Sequence, residues 1–175
     1  MKGNGVAARL ETGAGFDAGS EGVGARGRED RRMVAGESGK AVLTLRAARE
    51  SDLVPLGFFF DTVLRRDYFL RRGQLEELVR GPYHQVYVAE IEGVLVGVAI
   101  TTRGTRLVNA LVHPAYRGLG VGRALVETSG ATQVRAKLDM STGDPRGFYF
   151  AMGFESTGRR NGKGNIELLE KGGAA

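Results

Sequence analysis

The 175-residue chain contains no cysteine and only two histidines, His84 and His113. The absence of cysteine excludes a disulfide framework, a thiolate nucleophile, and zinc or iron–sulfur sites built on cysteine ligands. Two histidines are too few for a histidine-rich metal cage, so we expect no metal site. Because no apolar run approaches the ~18 residues that a helix needs to span a bilayer, we also expect no membrane partner.

The amino-terminal segment lacks the apolar core of about 7–15 residues that a secretory signal requires. This absence favours an intracellular protein, and we expect a cytoplasmic one. The length is close to the ~100–200 residues of a single domain. Hydrophobic residues make up 42% of the chain, which is enough for a sizeable core.

Charge is divided unevenly along the chain. Residues 1–39 hold six basic and six acidic residues, so the formal net charge of +5 lies entirely on residues 40–175. A modestly basic domain attracts an anionic partner through its long-range field. The sequence has no dense stripe of lysine and arginine with interleaved aromatic residues, so we expect a phosphorylated cofactor rather than nucleic acid.

Glycine is in excess, with 28 residues, and ten of them lie within residues 1–39. This segment has few bulky apolar residues and cannot bury enough surface to offset its ordering entropy. We therefore expect a disordered extension over residues 1–39, one domain over residues 40–171 and a short tail over residues 172–175. An alternative is that translation begins at Met33, so that the residues before it are not part of the protein.

From residue 41 the apolar pattern alternates between strand spacing and helix spacing. The helix that begins near Gly120 joins two strands that must be parallel, whereas the strands before it form an antiparallel meander. The sequence therefore predicts a mixed α/β sheet. The expected elements are strands at 42–46, 85–91, 94–101, 107–112, 134–140, from 154 and at 166–169, with helices beginning near 51, 75, 120 and 148.

The glycine-rich run Arg-Gly-Leu-Gly-Val-Gly at residues 117–122 lies between a predicted strand and a predicted helix. Glycine lets the main chain approach a phosphate closely and adopt conformations barred to other residues. The amino terminus of the following helix contributes about half a positive charge. The run therefore predicts a pyrophosphate cradle; the alternative is a loop that packs tightly beneath the sheet.

Two common phosphate motifs do not fit this run. A dinucleotide-binding G-x-G-x-x-G fingerprint requires glycine at the position of Arg123. A Walker A loop, G-x-x-x-x-G-K-[ST], occurs nowhere in the chain. A nucleotide-binding oxidoreductase is therefore a weak alternative.

The run instead resembles the acetyl-CoA signature of the GNAT superfamily of N-acetyltransferases, Gln/Arg-x-x-Gly-x-Gly/Ala. Arg117, Gly120 and Gly122 stand at its fixed positions. Residues 46–53 look like the first strand and helix start of that family. Tyr149, followed by Gly-Phe at residues 153–154, looks like its Y-x-x-x-G-F segment.

This likeness covers about residues 41–171, and three motifs occur in the family's order. It implies the GNAT fold: a mixed, mostly antiparallel central sheet with splayed parallel strands and flanking helices. It also implies acetyl-CoA as cosubstrate, a small-molecule or peptide amine as acceptor, and direct attack of the amine in a ternary complex. Whether the protein forms a homodimer is left open.

The resemblance also implies roles for individual residues. Tyr149 would lie beside the thioester sulfur and act in catalysis. A main-chain N–H at Leu111 or Val112 would stabilise the oxyanion. The expected cofactor-binding residues are Leu111, Val112, Arg117, Gly118, Leu119, Gly120, Val121, Gly122 and Arg123.

The general base is not evident in the sequence. No aspartate or glutamate occurs between Thr105 and Val112, where the family often places one, and Asn109 cannot accept a proton. A water chain, Asp67 or Glu90 are the alternatives. The missing base also keeps open a second hypothesis, that the domain is a non-catalytic acyl-CoA-binding sensor.

Four further features bear on the expected site. The family often has asparagine and alanine where this chain has Thr142 and Pro145, so contacts from this segment to pantetheine are not assigned. His113 is expected to be structural, and residues 58–60, Phe-Phe-Phe, to be core rather than an acyl pocket. Arginines at positions 65, 66, 71 and 72 predict a solvated basic face, or alternatively a preference for an anionic acceptor.

Overall fold

The computed structural model describes residues 29–36, 39–63, 74–102, 105–138 and 143–172. Within these ranges the strands form one sheet in the order β1-β2-β3-β4-β5-β6-β8-β7. The strands are β1 Asp30–Gly36, β2 Gly39–Ala47, β3 His84–Ile91, β4 Val94–Thr102, β5 Arg106–Val112, β6 Gln133–Lys137, β7 Phe154–Arg160 and β8 Ile166–Lys171. The α-helices are α1 Leu53–Val63, α2 Gln74–Arg80, α3 Val121–Thr128 and α4 Arg146–Phe150.

Every strand pair in this sheet is antiparallel except β5 with β6. The predicted fold class, a mixed and mostly antiparallel α/β sheet, is therefore confirmed. The parallel strands pair only at Arg106 with Gln133 and at Leu107 with Val134. Beyond these pairs β5 continues to Val112 and β6 to Lys137, and the two strands splay apart. Their divergence leaves a gap in the sheet where main-chain groups are not used by a neighbouring strand.

The sheet has a hydrophobic core on each face. One core contains buried residues of α3 together with Tyr149 and Phe154. The other core contains residues of α1 and α2 together with the buried side chains of β3 and β4 that face these helices. Helix α3 packs close to β4 at Gly97, where an added Cβ would lie 2.8 Å from Leu125 Cδ1.

The phenylalanine triplet of α1 is divided between core and solvent. Phe59 and Phe60 are buried in the second core, in edge contact with ring centroids 6.0 Å apart. Phe58 is 71% exposed, so the expectation of a core position is wrong for this residue. A helix buries only one stripe of its surface, and three consecutive residues span too wide an arc for all of them to face the sheet.

Strand β1 corrects the expected domain boundary. Residues 30–36 pair along β2, from Asp30 opposite Leu45 to Gly36 opposite Gly39, so the expectation of disorder up to residue 39 is wrong for them. Edge pairing uses main-chain groups and needs few bulky side chains. Two side chains add contacts, because Val34 packs on the first core and Arg32 Nη1 lies 2.6 Å from Glu127 Oε2 of α3. Residues 1–28 lie outside the described residues.

Deleting residues 1–38 is expected to lower the melting temperature by about 2–6 °C, because it removes a paired strand and one partly exposed ion pair. Deleting residues 1–28 keeps β1 and removes glycine-rich polar sequence, which contributes little buried surface. We expect that shorter deletion to leave the melting temperature nearly unchanged. Thermal unfolding of both variants beside the full chain checks this, and equal melting temperatures for the two would show that β1 adds no stability.

A buried ion-pair cluster fixes the start of α1 on the sheet. Arg46 of β2 binds Asp52 through two hydrogen bonds, Nη1 to Oδ2 at 2.7 Å and Nη2 to Oδ1 at 2.9 Å. The Arg49 main-chain N–H also donates to Asp52, at 2.7 Å. The Arg46 hydrogen bonds hold the pKa of Asp52 below its usual value, although burial opposes them. Removing Arg46 would leave the Asp52 carboxylate buried without its ion-pair partner.

This lowered pKa gives the domain a defined acid response. Asp52 contributes stability that is present above its unfolded pKa of about 3.9 and is lost as pH falls through its lower folded pKa. We expect Asp52→Asn to be less stable than the wild type at neutral pH. The difference in melting temperature between the wild type and Asp52→Asn should become smaller as pH falls below about 4. A difference that stays constant from neutral to acidic pH would contradict this account.

Candidate active site

The gap between β5 and β6 exposes main-chain groups of Val112. Successive residues of a strand direct their hydrogen-bonding groups to opposite sides. The His113 N–H donates to the Val96 carbonyl of β4 at 2.9 Å, so the groups of Val112 point away from β4 and into the gap. The groups of Leu111 point towards β4, where Leu111 lies opposite Val98. Of the two residues predicted to offer an N–H, the geometry therefore favours Val112.

The glycine run forms a loop of free amides directly after this strand. Gly118 and Gly120 have φ of +82° and +83°, a region that favours glycine. The helical bonding of α3 starts with Ala124 N–H to the Gly120 carbonyl at 3.0 Å. In the described part of the chain, no hydrogen bond uses the N–H groups of residues 118–123. Free amides at a helix amino terminus form a favourable site for an anion.

The turn that leads into this loop is held by His113 and Arg117. His113 Nδ1 accepts a hydrogen bond from the Ala115 N–H at 3.2 Å, and its ring meets Tyr116 edge-on at 5.7 Å. This placement agrees with the structural role predicted for His113. Arg117 Nε donates to the Val112 carbonyl at 3.2 Å, so the arginine of the signature lies at the mouth of the gap.

Gly122 lies where the loop meets the gap. An added Cβ at this position would lie 3.5 Å from Val112 Cγ2 and 3.6 Å from Phe148 Cζ, which are ordinary van der Waals distances. The cradle, the end of β5 and helix α4 therefore meet around this residue. Of the other predicted cradle residues, Val121 is buried in the first core and Leu119 packs against it.

Tyr149 lies inside the first core with 2% of its surface exposed. Its ring makes edge contacts with Phe148, at a centroid distance of 5.1 Å, and with Phe154, at 5.7 Å. Burial raises the pKa of Tyr149 above the ordinary tyrosine value, so its hydroxyl stays protonated at neutral pH. Tyr149 can therefore donate a hydrogen bond but cannot serve as a base.

Arg123 contributes to the site in an unexpected way. Its main-chain N–H is one of the free amides at residues 118–123. Its side chain turns to α4, where Nη2 donates to the Ala151 carbonyl at 3.3 Å. Arg123 thus links the first turn of α3 to the end of the helix that carries Tyr149.

Of the two candidate carboxylate bases, the structure describes only Glu90, and it lies in another cluster. Glu90 Oε1 accepts a hydrogen bond from Arg46 Nη2 at 2.7 Å, so its carboxylate belongs to the ion-pair cluster at α1. Asn109 is buried in β5 beside a bulge at Val108. Asp67, Thr142 and arginines 65, 66, 71 and 72 lie outside the described residues.

Sequence reasoning missed a buried carboxylate beside α4. Glu167 of β8 is 3% exposed and binds Arg146, the first residue of α4, through Oε2 to Nη1 at 3.1 Å. Strand alternation offered the available signal, since Glu167 shares a face with the buried Leu169 two residues later. A charged residue on an inward face needs a partner.

The described residues contain no group of three histidine, cysteine, aspartate or glutamate side chains placed to hold a metal ion. Among the described helices, none has the length and apolar character needed to cross a membrane.

Comparison with known proteins finds a family-model match over part of the chain and a shared fold among solved structures. Residues 82–156 match the family model described as acetyltransferase (GNAT) domain. No curated protein matches the chain significantly. The matched segment runs from just before β3 into β7, so it includes the gap, the cradle and α4.

Solved structures share the fold at low sequence identity. The GNAT domain of S. lividans PAT has a TM-score of 0.60 at 16% identity, covering 81% of this chain and 95% of that one. The ribosomal-protein-S18-alanine N-acetyltransferase of Escherichia coli has 0.53 at 20% identity, covering 73% and 90%. The PaiA N-acetyltransferase of Thermoplasma acidophilum, solved in complex with coenzyme A, has 0.51 at 14% identity, covering 74% and 98%. These structures share the fold of this chain, and its residues 82–156 match the acetyltransferase (GNAT) domain model.

Proposed function

We propose that this domain transfers an acetyl group from acetyl-CoA to a primary amine by direct attack in a ternary complex. One observation carries the proposal: the free amides of residues 118–123 adjoin the gap where β6 does not pair with the Val112 end of β5. A ligand with a pyrophosphate and an extended arm would satisfy both sites at once. The coenzyme A in the complex of the Thermoplasma acidophilum protein supports this choice of ligand.

The residues present fit coenzyme A at each of its parts. The amides of the cradle would bind the pyrophosphate, and the dipole of α3 favours its negative charge. The pantetheine arm would lie in the gap along the end of β5, in the place of an added strand. Acetyl-CoA supplies an acyl group activated as a thioester. Arg117, at the mouth of the gap, adds positive charge to the same end of the site.

Positioning accounts for much of the proposed catalysis. Holding two reactants in the correct geometry can supply about 7–11 kcal/mol of the barrier, so few catalytic side chains are required. The Val112 N–H would stabilise the oxyanion as it develops. Tyr149 would donate a hydrogen bond to the departing sulfur.

Because β5 offers no carboxylate as a general base, the proton of the attacking amine needs another acceptor. We expect the amine to bind in its neutral form and to release its proton to water after attack. The rate at low acceptor concentration should then rise with pH until the pKa of the acceptor is passed. We expect the acceptor itself to be a small-molecule or peptide amine.

The rival function is a non-catalytic acyl-CoA-binding sensor, and the missing carboxylate favours it. Calorimetry with CoA and acetyl-CoA, together with thiol release from acetyl-CoA in the presence of a panel of amines, separates the two. The proposed function predicts binding and amine-dependent thiol release. Tight binding without release by any amine would favour the sensor, and no binding would contradict both.

A further inference from the structure

Helix α4 is held to both sides of the gap. Its first residue, Arg146, binds Glu167 of β8, on the β6 side of the sheet. Its last turn is bound from α3, where Arg123 reaches the Ala151 carbonyl. A helix of five residues cannot hold its own position, because the hydrogen bonds of a single turn do not offset the cost of forming it. The placement of Tyr149 therefore depends on tertiary contacts, which are these two and the packing of its ring in the first core.

The carboxylate of Glu167 anchors the start of α4 through its contact with Arg146. Its Oε2 accepts from Arg146 Nη1 at 3.1 Å and from Arg160 Nη2 at 3.3 Å, and its Oε1 accepts from the Ser156 hydroxyl. These hydrogen bonds, that of Ser156 foremost, lower the pKa of Glu167 against the effect of burial. A buried carboxylate with three donors is an ionised anchor with a defined orientation.

Arg146 is clamped from a second side by Asp144. Nε lies 2.9 Å from the Asp144 carboxylate and Nη2 lies 2.6 Å from Oδ2, while the Arg146 main-chain N–H donates to Oδ1 at 3.0 Å. The planar guanidinium is thus oriented between Asp144 and Glu167. Tyr149 follows three residues later, which places it about one helical turn further on the same short helix.

We propose that Arg146, anchored on Glu167, is a positioning residue that sets the Tyr149 hydroxyl towards the thioester. The proposal rests on the proposed function and adds to it a residue that touches neither substrate. Arg146 lies in the segment where this chain departs from the family pattern at Pro145. A displacement of about 1 Å at a reacting group can cost as much as 100-fold in rate.

Arg160 provides a matched control. It binds the same Glu167 oxygen as Arg146 but stands on β7 rather than on α4. We expect Arg146→Met to lower kcat about tenfold or more, with the Kd for CoA within about threefold of the wild type. Arg160→Met should change kcat by less than about twofold. Equal losses of kcat in the two variants would contradict the proposal, because they would indicate a general loss of the Glu167 cluster.

The role of Tyr149 in this effect is tested by a double-mutant cycle. If Arg146 acts through Tyr149, Arg146→Met should change kcat by less than about twofold when Tyr149 is already Phe. A loss as large as in the wild-type background would overturn the proposal. Arg146→Lys keeps the positive charge but loses the planar guanidinium that binds Asp144 and Glu167 at once. It replaces Arg146→Met in the same cycle if Arg146→Met does not fold.

An NMR measurement of CoA binding, which needs no acetyl transfer, tests the positioning role separately from the proposed function. In protein labelled with ¹³C in its tyrosine rings, the signal missing from Tyr149→Phe identifies Tyr149. Adding CoA should shift that signal in the wild type and in Arg160→Met, but not in Arg146→Met. This pattern without acetyl transfer would contradict the transferase function and support the positioning role. A shift of equal size in Arg146→Met would contradict the positioning role, whether or not transfer occurs.

Discussion

Gly122→Asp is expected to weaken CoA binding about tenfold or more, equivalent to about 1.4 kcal/mol, while the domain stays folded. The substitution places a negative charge among free amides that would bind the pyrophosphate, and it opposes the dipole of α3. Folding should survive because an added Cβ meets Val112 and Phe148 only at ordinary van der Waals distances. Calorimetry with CoA and thermal unfolding check the two parts of this prediction.

The matched control is Gly122→Asn, which has nearly the same shape as Gly122→Asp and no charge. We expect the asparagine variant to lose less affinity than the aspartate variant, because only the latter repels the pyrophosphate. Equal losses would mean that the site excludes bulk rather than negative charge. Full affinity in a folded aspartate variant would place the cofactor elsewhere on the protein.

The cradle could be predicted from the sequence because its signal is local. Glycines at positions 118 and 120 take positive φ in the structure, and the helix begins directly after them. A strand before the run and an amphipathic helix after it complete the pattern within about twenty residues, a span over which periodicity is informative. The antiparallel meander before the cradle could be predicted for the same reason, since its strands are neighbours both in the sheet and in the sequence.

Features that depend on strand register could not be predicted. The choice between Leu111 and Val112 depends on which side of β5 each N–H faces. A bulge at Val108, where Ile100 pairs with Asn109 but Thr101 with Leu107, shifts that register. A bulge reverses the expected direction of the groups beyond it. Alternation in the sequence alone therefore left the two residues equivalent.

Contacts between residues far apart in the sequence could not be predicted from local sequence patterns either. The contact of Glu167 with Arg146 needs β8 to lie between β6 and β7, an arrangement that sequence order does not specify. Strand β1 was missed for a different reason, since its side chains carry little apolar signal and main-chain pairing with β2 supplies the contacts. Both cases show that charged and small residues can have well-defined positions when tertiary partners are present.

The chemistry of the leaving group limits what Tyr149 can do. An ordinary thiol has a pKa of about 8.5 and a free tyrosine about 10, so full proton transfer to the departing thiolate is uphill by about 2 kcal/mol. Burial raises the pKa of Tyr149 and makes that transfer less favourable still. Tyr149 should therefore act by donating a hydrogen bond as charge develops on sulfur, with the proton supplied late or through water.

Tyr149→Phe is accordingly expected to lower kcat by about 10–1,000-fold while the affinity for acetyl-CoA changes by less than about threefold. The ring contacts with Phe148 and Phe154 are kept, so the melting temperature should change little. Steady-state kinetics, calorimetry and thermal unfolding of the one variant separate these effects. A variant with full kcat would remove Tyr149 from the mechanism, whereas a variant that loses only affinity would make its hydroxyl a cofactor contact.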